Sequence, residues 1–363
     1  MNYRIRQTVI VLMACIFLLA GSGIGTAGSN GKKFKDVLET PSKITELSSK
    51  RILNDIAKAG NRIVSVGIRG HIVYSDDKGK SWRQAKVPVS CDLTAVHFPT
   101  SLIGWAVGND GVVLHTTDGG ATWEKQLDGF GVSKILQEHY VTNPSTASQN
   151  AGPDETFLSH IQTLIEDGPS SPFLDVLFEN EKSGYIVGAF NLIFRTEDGG
   201  KSWQPLLDRT ENPDGMHLYS ITNTGKNIFL SGEQGLLLKL DEQTKRFQSV
   251  RTPYAGTYFG VIGRNDTVVA FGMRGNIYRS PDSGASWQKI DNKDAAGILG
   301  GEVTEGGTFL LVTQSGKILV SKDDGVSFLE QPNGGIPLHA VVSTGDGILV
   351  FASWLGIMQG KLN

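Results

Sequence analysis

Two cysteines in 363 residues leave this chain without a disulfide framework. Cys15 sits in an apolar run near the start, so Cys91 alone remains in the body of the chain, and stability has to come from a packed core. Cys91 lies in Pro88-Val89-Ser90-Cys91-Asp92 with no histidine beside it, which argues against a thiol nucleophile. A basic excess is missing too. Lys and Arg number 34 against 37 Asp and Glu, for a net charge of −3, and this excludes nucleic-acid binding as a bulk property. The seven histidines, among them His97, His115 and His339, show no metal-ligand spacing, and no Gly-rich stretch precedes a helix as a phosphate loop would. No metal and no cofactor is expected.

The apolar run Val9–Ala20 has twelve residues, short of the about 20 that a spanning helix needs. Arg4 and Arg6 precede it and Gly25-Thr26-Ala27 follow it, so residues 1–27 read as a secretory signal, with lipidation at Cys15 or an uncleaved anchor as alternatives. The chain is expected to be exported and periplasmic, a monomer, with 28–363 forming a single domain.

What is abundant is glycine, at 45 residues, and a repeat. The pattern Ser/Thr-x-Asp-x-Gly-x-Ser/Thr-Trp/Phe occurs five times. Its Asp and aromatic positions are Asp77 and Trp82, Asp118 and Trp123, Asp198 and Trp203, Asp282 and Trp287, and Asp323 and Phe328. Upstream of each lie an apolar strand, a Gly-x-x-Gly-like turn and another strand. The turns begin at Gly67, Gly108, Gly188, Gly232, Gly272, Thr313 and Ser353. The period is about 40 residues with four short strands per unit, which is the spacing of a propeller blade. The expectation is therefore an all-β, seven-bladed β-propeller. The fourth unit has lost its Asp motif, with Leu240–Phe247 in that place. The seventh runs out after its third strand, and Phe34–Glu39 is the candidate strand to complete it and close the ring.

One step, from Gly108 to Gly188, is twice the period. The extra residues, 129–172, show no strand alternation. Apolar positions at 157, 158, 161, 164 and 165 predict a helix with Asp154 as its N-cap, and Val132–Tyr140 predicts a second, so a helical insertion is expected between blades 2 and 3.

The Asp motif is read as structural. Its hydroxyl and carboxylate can accept loop N–H groups, its Gly supplies positive φ, and its Trp buries about 2–3 kcal/mol of apolar surface against a neighbouring blade. Function then falls on the opposite face, with the Gly-x-x-Gly turns. Arg69, Asp110, Phe190, Gln234, Met273, Arg274 and Trp354 stand there as candidate partner-binding residues. Phe190, Met273 and Trp354 are apolar where turns are normally polar, and arginine forks suit carboxylates.

The repeated Asp boxes resemble the sialidase-type Asp-box class. Asp175-Val176-Leu177-Phe178, Gly184-Tyr185-Ile186-Val187-Gly188 and Arg195–Trp203 resemble more closely the photosystem II stability and assembly factor family, over nearly all of 50–361. In photosynthetic members that resemblance implies a lumenal seven-bladed propeller that escorts a membrane reaction-centre subunit. The insertion is more similar to relatives in non-photosynthetic bacteria, exported proteins often linked to resistance-nodulation-division type transporters. The resemblance thus implies a non-catalytic assembly or accessory factor for an envelope or membrane protein. The alternative is a sialidase-like glycoside hydrolase, which needs an arginine cluster, a tyrosine nucleophile with a glutamate, and an acid on the central face. Tyr219, Tyr254 and Tyr258 are available, but none lies in a recognisable catalytic phrase.

Overall fold

The computed structural model describes residues 35–143 and 155–362, so the signal-peptide and Asp154 readings lie outside the described residues. Residues 36–363 form one compact unit. Among the described residues, twenty-seven strands make seven antiparallel sheets in chain order, spanning 53–84, 93–127, 173–205, 218–249, 258–290, 298–332 and 338–361. Six sheets have four strands and the seventh has three. These are the blades of a propeller. The first strand of each packs on the first strand of the next, and blade 7 packs back on blade 1.

The second strand of a blade is covered on both sides by its neighbours. Gly104–Gly108, Gly184–Gly188 and Ile228–Gly232 are buried at every position. That is why these segments read as continuous apolar runs rather than alternating ones. The hydrophobic clusters sit between blades. Trp123 of blade 2 packs among Val64, Ile72 and Val87 of blade 1, and Trp203 of blade 3 among Trp105 and Val107 of blade 2. In blade 4, which lacks the Asp motif, Phe247 is fully buried beside Leu177 and Tyr185 of blade 3 and fills the same role.

The Asp boxes are hairpins between third and fourth strands. In the second, Asp118 Oδ1 accepts from the Thr116 hydroxyl and from the N–H groups of Ala121 and Thr122, each at 2.9 Å, while Oδ2 accepts from the Thr122 hydroxyl at 2.7 Å. The Trp123 indole N–H donates to the Gly120 carbonyl at 3.0 Å. Gly120 has φ +88, and a Cβ there would meet Val64 at 3.2 Å, so glycine serves both the turn and the fit against blade 1. In all five boxes the Asp carboxylate accepts from the Ser or Thr hydroxyl two residues before it.

The N-terminal segment does not complete blade 7. Phe34 lies outside the described residues, and Val37–Glu39 form a 3-10 turn capped by Asp36, whose carboxylate accepts from Leu38 N–H at 2.9 Å. The local carboxylate satisfies an N–H that a strand would need for its ladder, and Pro41 lacks one altogether. The segment instead docks on the connector from blade 1 to blade 2. Ser90 N–H donates to the Val37 carbonyl at 2.9 Å and Ser42 N–H to the Val87 carbonyl at 3.0 Å. Ring closure rests on side chains and on the backbone approach of Gly356 in blade 7 to Ser49, whose carbonyl oxygen lies 2.2 Å from where a Cβ on Gly356 would stand. Trp82 of blade 1 packs against Val342, Val350 and Ala352 of blade 7. Lys78 pairs with Asp346 at 2.6 Å, and a His339 ring nitrogen lies 2.7 Å from the Leu53 carbonyl.

The insertion is helical, as its periodicity predicts. Helix α1 (Gly129–Leu136) continues into a π turn (Gln137–Thr142), and α2 (Glu155–Glu166) follows. Val132, Leu136, Tyr140, Ile161 and Leu164 are buried in the cluster between blades 2 and 3. The Tyr140 hydroxyl donates to Asp208 at 2.8 Å.

Trp82→Ala is expected to destabilise the protein by about 3 kcal/mol, a large loss for a half-buried aromatic, because it opens the seam between blades 1 and 7. Urea unfolding measures this, and an unchanged midpoint would show that the ring is held closed elsewhere.

Candidate functional site: the turn face and the central cavity

The turns between second and third strands share one construction. The third residue of five of them is left-handed without being glycine: Arg69 at φ 58, Asp110 at 58, Phe190 at 54, Gln234 at 51 and Arg274 at 57. Each costs about 1 kcal/mol relative to a right-handed residue. The turn closes against the connector of its own blade, as where a Cβ on Gly70 would lie 2.3 Å from the Val89 carbonyl and one on Gly275 2.0 Å from that of Asp294. Turns and connectors therefore share one face, opposite the Asp boxes. In blade 3, Asn191 at φ 60 replaces the closing glycine. It is 3% exposed and bonded through its amide to Thr210 and Asn212.

Arg69, Asp110, Phe190, Gln234, Met273 and Arg274 lie in turns between second and third strands, and Trp354 in the turn after Ser353. Arg69, Gln234 and Arg274 are exposed. Phe190 (42%), Met273 (40%), Trp354 (56%) and its neighbour Leu355 (57%) are large apolar side chains left in water. Asp110 differs: it is half-buried, and burial, with Asp36 and Asp92 nearby, raises its pKa. The insertion reaches only part of the face. His160 of α2 lies 2.9 Å from the Phe190 carbonyl and covers Gly215, while the Phe190 ring stays exposed.

Each first strand carries a β-bulge at the same place. The bulged residues are Asn54, Thr94, Leu174, Tyr219, Phe259, Leu299 and His339, one per blade, next to the residue that pairs with the start of the turn. A bulge re-aims its side chain, and all seven line a central cavity of about 260 Å³. Sequence reasoning missed this ring. Its signal is one column of the repeat, the residue after Leu53, Leu93, Phe173, Leu218, Tyr258, Ile298 and Leu338, but the residue types in that column share no chemistry.

Two acids also line the cavity. Asp55 of blade 1 accepts from Val96 N–H of blade 2 at 2.8 Å, and Asp175 of blade 3 accepts from Ile221 N–H of blade 4 at 2.8 Å. Burial pushes Asp55 up to about 7, with Asp175 adding to the shift, and burial pushes Asp175 to about 6. Glu302 joins blade 6 to Ser343 of blade 7 in the same way and burial takes it to about 7. The Asp-box carboxylates go in the opposite direction. The Ser81 and Ser286 hydroxyls and backbone N–H groups hold Asp77 and Asp282 down to about 2.

The sialidase-type candidates are not assembled into a site. The Tyr258 hydroxyl is buried and donates to Thr252 at 2.9 Å, Tyr254 donates to the Met273 carbonyl at 3.2 Å, and only Tyr219 reaches the cavity. Among the described residues, those lining the cavity include no arginine or lysine. No group of three or more His, Cys, Asp or Glu among the described residues is placed to hold a metal ion. Cys91 is buried and its thiol is pushed up to about 12, away from nucleophilic use.

These features define a closed, seven-bladed Asp-box propeller with a variable turn face over a narrow hub. The family model described as "Photosynthesis system II assembly factor YCF48" matches residues 34–130 and 161–333, and the chain belongs to that family. The stretch between the two matched parts falls inside the insertion. Among curated relatives, a photosystem II assembly lipoprotein Ycf48 of Prochlorococcus marinus is 25% identical over 75% of this chain and 84% of its own length. That of Synechococcus sp. (strain CC9902) is 26% identical over 38% of this chain and 46% of its own, so the match spans about half of that relative. The structure named "YCF48 bound to D1 peptide" superposes with a TM-score of 0.62 at 16% identity, covering 87% of this chain and 94% of that one. YCF48 from Cyanidioschyzon merolae gives 0.59 at 15% identity, covering 89% and 98%.

Folded Asp55 keeps its proton up to about 7, whereas the unfolded chain gives it up near 3.8. Stability should therefore fall as pH rises through that window. Asp55→Asn is expected to flatten the decline in Tm between about pH 4 and 7. An unaltered slope in the variant would mean that Asp55 is ionised in the folded state.

Proposed function

We propose that this protein is an exported, non-catalytic scaffold that binds a segment of an envelope or membrane protein on its turn face and acts as an assembly or accessory factor. The observation that carries the reading is the set of exposed Phe190, Met273 and Trp354 on turns fixed by backbone hydrogen bonds, with Arg69 and Arg274 on the same face. Rigid loops that keep apolar tips in water fit a recognition surface. Family membership supports the assembly role, and the D1 peptide held by one family structure supports a peptide as the form of ligand. Relatives named as lipoproteins support an exported location and bring Cys15 back as an attachment point. A resistance-nodulation-division type transporter is one partner consistent with the insertion-bearing relatives. The absence of arginine from the described cavity lining favours this reading over a sialidase-like hydrolase.

The test is affinity recovery from crosslinked native envelopes, with the chain carrying Arg69→Ala, Phe190→Ser, Arg274→Ala and Trp354→Ser together. The expected result is recovery of one dominant protein with the unaltered chain and at least about a tenfold loss with the variant. Equal recovery would move the site off the turn face, and recovery of sugars alone would overturn the protein-partner reading.

A further inference from the structure

The chemistry of the turn face changes from rim to hub. The exposed Phe190 ring stands edge-on to His217 at 4.6 Å, His217 lies 6.2 Å from Tyr219, and Tyr219 stands edge-on to Phe259 at 5.8 Å. Four rings thus lead from the turn of blade 3, across blade 4, to the bulge of blade 5. From the other side, Trp354 stands edge-on to His339 at 6.4 Å. Both tracks end at the cavity. Its lining includes Asp55 and Asp175, with no lysine or arginine among the described residues. The lining thus joins two acids to the rings of Tyr219, Phe259 and His339.

We infer that the cavity receives a lysine or arginine side chain of the bound segment, while the aromatic tracks seat the apolar residues beside it. The inference rests on the turn-face binding proposed above. Charge decides the occupant. A carboxylate or phosphate would meet two acids there, whereas a cation would offset the charge that they take on when they ionise. Tyr219 and Phe259 also line the cavity, and aromatic rings attract a cation. Size agrees: about 260 Å³ holds one long side chain, whereas drug-sized ligands take about 300–1,000 Å³. Backbone N–H groups hold the acids in place, Val96 on one oxygen of Asp55, and Ile221 and Val176 on the two oxygens of Asp175. Arrival of the cation would also favour the ionised acids, so binding should release protons near neutral pH.

The experiment titrates the full chain with acetylated, amidated Ala-Phe-Lys-Phe-Ala, and with the same peptide carrying acetyl-lysine or glutamate at its centre. Calorimetry in two buffers of different ionisation heat reads affinity and proton release together. The lysine peptide is expected to bind at least about tenfold more tightly than either control and to release protons. Asp55→Asn with Asp175→Asn should bring the three peptides together, and Tyr219→Ala should weaken all three. The acetyl-lysine arm needs no variant, so a folding defect in the double mutant leaves the test intact. Equal binding of all three peptides, or binding of none, overturns the inference. If the envelope partner is lost with the rim variant while lysine and acetyl-lysine peptides bind alike, the turn-face reading stands and the cation pocket falls.

Discussion

Every blade of this ring depends on being covered on both sides. The second strands carry apolar side chains to both faces of each sheet, so an uncovered blade would expose a core to water. Six interfaces are made by neighbours in sequence. The seventh must join the two ends of the chain, and it is made without a shared strand. Trp82 enters blade 7 as Trp123 enters blade 1, so closure repeats the packing used elsewhere in the ring. The polar staples follow the same logic. Asp55, Asp175 and Glu302 each reach from a first strand to a backbone N–H of the next blade, and His339 meets the carbonyl of Leu53 across the seam.

The same residue type serves two ends of the propeller in opposite electrostatic states. On the Asp-box face, carboxylates are exposed and wrapped by hydroxyl and N–H donors, so their charge is stabilised. In the hub, carboxylates accept fewer bonds and lose water, so the neutral form gains. Acids of the first kind hold turns together. Acids of the second kind hold blades together.

Much of the architecture was legible in the sequence because it rests on residue types with one mechanical meaning. The Asp–Gly–Trp hairpins and the period of about 40 residues led to seven blades and to the face on which the turns lie. The helical stripe at 157–165 led to α2, and Phe247 shows how a blade keeps its wedge after losing the motif around it. The fourth strand of blade 7 was misread because Phe34–Glu39 resembles the outer strands that begin at Trp123 and Trp203, while Asp36 and Pro41 divert the backbone from a ladder. The bulge ring was invisible for a different reason. A bulge is a property of register between two strands, and Asn, Thr, Leu, Tyr, Phe and His can all occupy it. Asp175 lies within the family-like phrase Asp175–Phe178, yet Asp55, which shares its cavity, comes from a strand more than 100 residues away.

The seam has a consequence in time as well as in space. His339 and Leu53 are 286 residues apart, and Trp82 cannot find Val350 until nearly the whole chain has been made. A chain delivered from its N-terminus presents blade 1 first, with one apolar face waiting for a partner that arrives last. The blades between can stack as they emerge, but the ring locks only in a final long-range step. Until then the first-made part of the molecule is its stickiest, and its residence in that state is set by the speed of delivery rather than by the stability of the finished ring.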